Sequence, residues 1–111
     1  MMKMSTHVTD TIKILSIEGD LNANTCGDAE TRLNQLILGG NTKLIVNLDN
    51  LNYISSAGLR VFLITNKLIK KNEGALRLCC LNDTVKEVFE ISGFQMIFDI
   101  FRSEEEALEN F

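Results

Sequence analysis

Two hydroxyls stand side by side at Ser55 and Ser56, where the residue pattern changes from that of a strand to that of a helix. A hydroxyl at such a joint has two chemistries open to it. It can accept a hydrogen bond from an amide that the first helical turn leaves unpaired, or it can carry a phosphate that those amides favour. Ala57 and Gly58 beside them are small, leaving the approach to a hydroxyl open, and glycine in a first helical turn is a poor choice on propensity alone. No other residues assemble a reaction. His7, the only histidine, and Cys26 share no motif that would make them base and nucleophile. Asp20, Asp28 and Glu30 are explained as turn and first-turn acids. Metal-ligand spacings, Cys-x-x-Cys and a phosphate loop are absent from the sequence, and Gly39-Gly40 follows a helix instead of opening one. Cys79-Cys80 lies on a strand, where successive side chains point to opposite faces, so each reads as a small packed apolar group. The sequence therefore suggests no enzyme, metal or cofactor.

The elements that must hold the joint follow from periodicity. Leu44-Ile45-Val46-Asn47-Leu48 is too uniformly apolar for a half-exposed strand and reads as one covered on both faces, within a central strand from Lys43 to Leu48. Leu59, Phe62, Leu63, Asn66 and Ile69 then recur at helical spacing, giving a helix from Ser56 to Lys71 with Ser55 or Ser56 at its start. Upstream, Lys3 to Val8 forms a weak strand paired through Thr9-Asp10-Thr11 with Ile12 to Ile17, which ends in a Glu18-Gly19-Asp20 turn. Asn22 or Asn24 caps a first helix carrying Ala29, Leu33, Leu36 and Ile37, stopped by Gly39-Gly40. Downstream come a strand from Ala75 to Leu81, a helix capped by Asn82 and ended near Ser92-Gly93, a closing strand from Met96 to Phe101, and a capping box at Ser103 opening a last helix. This alternation predicts an α/β domain, a mixed central sheet with about four helices packed mainly on one face.

With 111 residues, 45% apolar and 23% charged, the chain reads as one globular domain spanning 1–111. Its net charge of -4 and scattered cations argue against direct binding of nucleic acid, and Lys67, Lys70 and Lys71 read as the cationic end of a helix. Neither a membrane span nor a signal peptide is visible, so a cytoplasmic protein with three reduced cysteines is expected.

Tyr53-Ile54-Ser55-Ser56-Ala57-Gly58-Leu59, following Val46-Asn47-Leu48-Asp49-Asn50-Leu51, resembles the signature of STAS domains, and among them the bacterial anti-sigma factor antagonists. Gly19-Asp20-Leu21-Asn22 resembles that family's Gly-Glu-Leu-Asp turn, and Val85 to Phe94 resembles its third helix; the likeness runs roughly from residue 10 to 108. The resemblance implies partner switching. An unmodified antagonist binds an anti-sigma factor that is also a serine kinase and frees the sigma factor. Phosphorylation by that kinase releases the antagonist, and a serine phosphatase resets it. Aligned on Gly58, the family's phosphoserine falls at Ser56, with Ser55 as the second choice, and the implied partner surface comprises Asn22, Asn24, Ser55, Ser56, Ala57, Gly58 and Arg60. Ser55 and Asn22 stand where the family commonly has acids, so a phosphate here meets less repulsion if the two loops adjoin. Arg60 adds a cation able to meet a partner carboxylate or the phosphate itself. The alternative implied by the same resemblance is a non-switching STAS subunit of a stress-sensing or lipid-transport assembly, in which the serine only caps.

Overall fold

The computed structural model describes residues 2–111, and its organising element is a long strand, β2 (Ile12–Leu21). Ile12, Ile14, Leu15, Ile17 and Leu21 are all buried along it. On one side β2 pairs antiparallel with β1 (Lys3–Thr9) through a turn in which Asp10 takes φ 57°. On the other it has two parallel neighbours in succession. Lys13 to Ser16 pair with β3 (Lys43–Asn47), and Gly19 to Leu21 pair with β4 (Leu51–Ile54), with a bulge between Gly19 and Asp20.

That fork departs from the sequence expectation twice. The chain does not turn at Glu18-Gly19-Asp20; the strand continues, because Gly19 at φ 101° accommodates the bulge in the left-handed region. Residues 51–54, to which the sequence reading gave no element, form a strand of their own. Only Leu51 and Ile54 at its two ends are buried, so the period-two alternation that betrays a half-buried strand is missing.

The main sheet runs β1-β2-β3-β5-β6, with β5 (Ala75–Cys79) and β6 (Asp99–Phe101). Helices α1 (Cys26–Leu38), α2 (Ser56–Lys71) and α3 (Asp83–Ser92) cover one face, where Leu33, Ile37, Phe62, Ile69 and Phe89 meet Leu15, Ile17, Leu44, Val46, Leu76 and Leu78. The short α4 (Glu104–Leu108) covers the other, packing Ala107 on Ile12, Ile14, Ile45 and Cys79. The expected fold class, a mixed sheet with helices mainly on one face, is what forms. β3 is covered on both faces, as its uniform apolarity requires: Leu44, Ile45 and Val46 are each 0% exposed.

The cap at Asn82 forms as read, with Asn82 Oδ1 accepting from Val85 N at 2.8 Å; at Ser103 only the serine half of the expected capping box forms, Ser103 Oγ accepting from Glu106 N at 3.1 Å. Two further boundaries shift by more than one residue. β5 stops at Cys79, since Cys80 takes φ 66°; Cys79 is buried and Cys80 half-buried. Phe94–Met96 forms a 3-10 turn after Gly93 at φ 78°, which shortens the closing strand to Asp99–Phe101. α4 is fastened by Arg77 of β5. Its Nη1 donates to the carbonyls of Ala107 and Glu109, both at 2.8 Å, and its guanidinium stacks 4.3 Å from the Phe111 ring centroid.

Candidate functional site

Ser55 N donates to Leu21 O at 2.9 Å, so the chain leaving β4 lies beside the chain leaving β2. Ser55 is extended, with φ -98° and ψ 176°, and its Oγ accepts from Gly58 N at 3.4 Å. Ser55 is therefore the N-cap of α2, resolving the choice that the sequence left open. Ser56 is the first residue inside the helix. Its side chain is exposed, and its hydroxyl makes no hydrogen bond among the described residues. The two serines thus divide the chemistry: one satisfies the backbone and the other faces solvent.

Gly58 departs from the role expected of it. Instead of leaving the hydroxyl accessible it is buried, and a Cβ there would lie 2.7 Å from Ile54 Cγ1 and 2.8 Å from Leu21 O. Glycine lets the first turn of α2 close onto the ends of β2 and β4, and this explains its presence against helix propensity. It offers no side chain to a partner. On the outer side of the same turn, Ala57 is half-buried and Arg60 is exposed, with no hydrogen bond or ion pair among the described residues.

Neither Asn22 nor Asn24 caps α1, contrary to expectation. The N-cap is Thr25, without a side-chain cap bond. Asn22 is occupied in the preceding turn: its Oδ1 accepts from Asn24 N at 2.9 Å and its carbonyl from Cys26 N at 2.8 Å. Thr25, which sequence reasoning passed over, fastens this loop by donating from Oγ1 to Asp20 O at 2.9 Å while accepting from Asn22 N at 2.9 Å. Asn24 is exposed and Asn22 half-buried. Because Leu21 bonds Ser55, the two loops adjoin, and Asn22 and Ser55 stand in one region. Tyr53 on β4 was also missed. It is 48% exposed three residues before Ser56, an exposure that no spacing in the sequence signals.

The dipole of α2 favours an anion at the joint. α2 has no acid in its first turn and Lys70 and Lys71 in its last, whereas the first turns of α1, α3 and α4 hold Asp28, Asp83 and three glutamates respectively. The positive end of its dipole is thus uncompensated by a resident carboxylate. Elsewhere, burial and the neighbouring Cys80 push the Cys79 thiol far up, so it stays protonated. His7 Nε2 meets Glu104 Oε1 at 3.0 Å on the surface. No group of three or more potential metal ligands converges among the described residues. The cavity of about 500 Å³ beside α3 and β6 is lined by Phe89, Phe98, Ile100 and Arg102, and no residue of the serine joint lines it. No helix among the described residues is long and apolar enough to cross a membrane.

The STAS domain family model matches residues 3–107, nearly the whole chain. This chain belongs to the STAS domain family. A relative of this STAS domain, BtrV of Bordetella bronchiseptica, a candidate anti-sigma factor antagonist, is 38% identical over 110 residues, 99% of this chain and 95% of its own. A solved structure of a candidate anti-sigma factor antagonist from Thermotoga maritima superposes with a TM-score of 0.90 at 22% identity, covering 96% of this chain and 92% of that one. The anti-sigma factor antagonist SpoIIAA of Bacillus superposes at 0.82 in its unphosphorylated form, with 23% identity over 96% of this chain and 94% of that one. Its phosphorylated form superposes at 0.73, with 22% identity over 96% and 97%. The structural likenesses are likenesses of fold.

Proposed function

We propose that this STAS domain is an anti-sigma factor antagonist switched by phosphorylation of Ser56. The observation that carries the reading is the division between the serines: Ser55 caps α2, so the exposed Ser56 hydroxyl is free to react without loss of the cap. An anti-sigma factor serine kinase would transfer the γ-phosphoryl group of ATP to Ser56 Oγ. The hydroxyl proton goes to a base on the kinase, and ADP leaves. A serine phosphatase would return the hydroxyl by hydrolysis. The added group carries about -1.5 to -2 charge, which a helix N-terminus accommodates, so the fold persists. A partner surface fitted to a neutral hydroxyl must instead desolvate a dianion, and the complex loosens. The surface concerned comprises Ser56, Ala57, Arg60 and Asn24, with Tyr53 beside them as an aromatic contact of the kind enriched at interfaces.

Incubation with the cognate kinase and ATP, followed by site-resolved mass spectrometry, tests this. Phosphate is expected on Ser56. Ser56→Ala should bind the kinase and never be released, and Ser56→Asp should bind at least tenfold more weakly with an unchanged melting curve. Phosphate on Ser55 alone, or equal binding by both variants, would remove Ser56 from the mechanism.

A further inference from the structure

We propose that Arg60 is a positioning residue that clamps the phosphate of modified Ser56, so that phosphorylation both adds an anion and withdraws a cation from the partner-facing surface. The inference rests on Ser56 being the modified residue. Ser56 and Arg60 are both on α2, four residues apart, and therefore one above the other on the same face. Long helical side chains lean toward the N-terminus and cover the turn before their own Cα, and for Arg60 that is the turn containing Ser56. Both side chains are exposed, and the guanidinium has no competing hydrogen bond or ion pair among the described residues. Gly58 N is already engaged by Ser55 Oγ and is not offered to the phosphate. Arginine suits the task because its fork meets two phosphate oxygens at once.

The clamp makes the switch two-sided. Unmodified, Arg60 can meet an acidic group on a partner; modified, it is occupied within its own chain. Of the elements packed against α2 and β4, β2 carries Lys13, Glu18 and Asp20, α1 carries Asp28, Glu30 and Arg32, β5 carries Arg77, and α3 carries Asp83, Lys86, Glu87 and Glu90, while β4 itself carries no charge. These are common to every variant below and cancel in the comparison.

Phosphoserine can be placed at position 56 by genetic encoding, with no kinase involved, and its second ionisation followed by phosphorus NMR. The expected result is a pKa about 0.5 lower with Arg60 than in Arg60→Gln at low salt, the size expected of an exposed charge pair. Arg60→Lys should recover part of the difference, and 0.5 M salt should shrink it, as screening requires. Equal pKa values in all three proteins would overturn the clamp. Failure of the cognate kinase to modify Ser56 would instead overturn the phosphorylation reading and leave this measurement unaffected.

Discussion

Ser55 and Ser56 are one position apart and take opposite parts, and the difference is measurable as stability. Ser55→Ala removes the side-chain acceptor for Gly58 N. Its cost is expected at the lower end of the range for a lost N-cap, about 0.5–1 kcal/mol, because the bond is long at 3.4 Å. Ser56→Ala removes an exposed hydroxyl that bonds nothing among the described residues, and its unfolding midpoint in urea should match the parent within error. A fall in midpoint for Ser56→Ala equal to that for Ser55→Ala would contradict the assignment of the cap. The sequence showed that a hydroxyl belonged at this joint but not which one took the cap. The cap needs an extended backbone at its own residue, and that angle is set by the hydrogen bond from Ser55 N to Leu21 O, a contact between segments 34 positions apart. Gly58 was noticed for the same reason that it was misread: its poor propensity marked it as special, but only the nearness of Ile54 and Leu21 shows that it is special inward.

Among the elements, those with long periodic faces were legible. α2 was bounded correctly at both ends, β3 was recognised from its uniform apolarity, and α3 from its asparagine cap. β4 was not, being four residues long with its two middle side chains exposed. The continuation of β2 through Gly19 was hidden because glycine reads as a turn until a neighbouring strand is present to hold it. α4 is the element most dependent on a single distant residue. With five residues it is too short to hold itself, and Arg77 supplies two hydrogen bonds at 2.8 Å to its C-terminal carbonyls and a longer one of 3.3 Å to Asn110 O. Arg77→Leu is expected to destabilise this element by about 1.5–3 kcal/mol, the worth of hydrogen bonds from a charged donor. Hydrogen exchange should show protection lost at 104–111 and retained in β2, β3 and α2. Loss of protection across the whole chain would mean that α4 is not a separable unit.

Across the whole molecule, three phenylalanine rings meet in the core. Phe89 lies 6.4 Å from the Phe62 ring and 5.9 Å from Phe98, tying α2, α3 and the approach to β6 into one core. Phe89→Ala should cost about 3–5 kcal/mol, a large share of the roughly 5–15 kcal/mol that holds a domain of this kind together. Urea unfolding measures it, and a loss below 1 kcal/mol would show that this aromatic group is not the keystone of the core. The surface around Ser55 and Ser56 hangs on the outer half of β2, past the point where β3 leaves off and β4 takes over. A strand with two successive neighbours works like a handle fixed in a block: its root belongs to the block and its tip can be reshaped. Residues 22–25 and 55–60 could therefore be exchanged for those of another STAS domain with the sheet beneath them left as it is, which carries the surface character of that domain onto this frame.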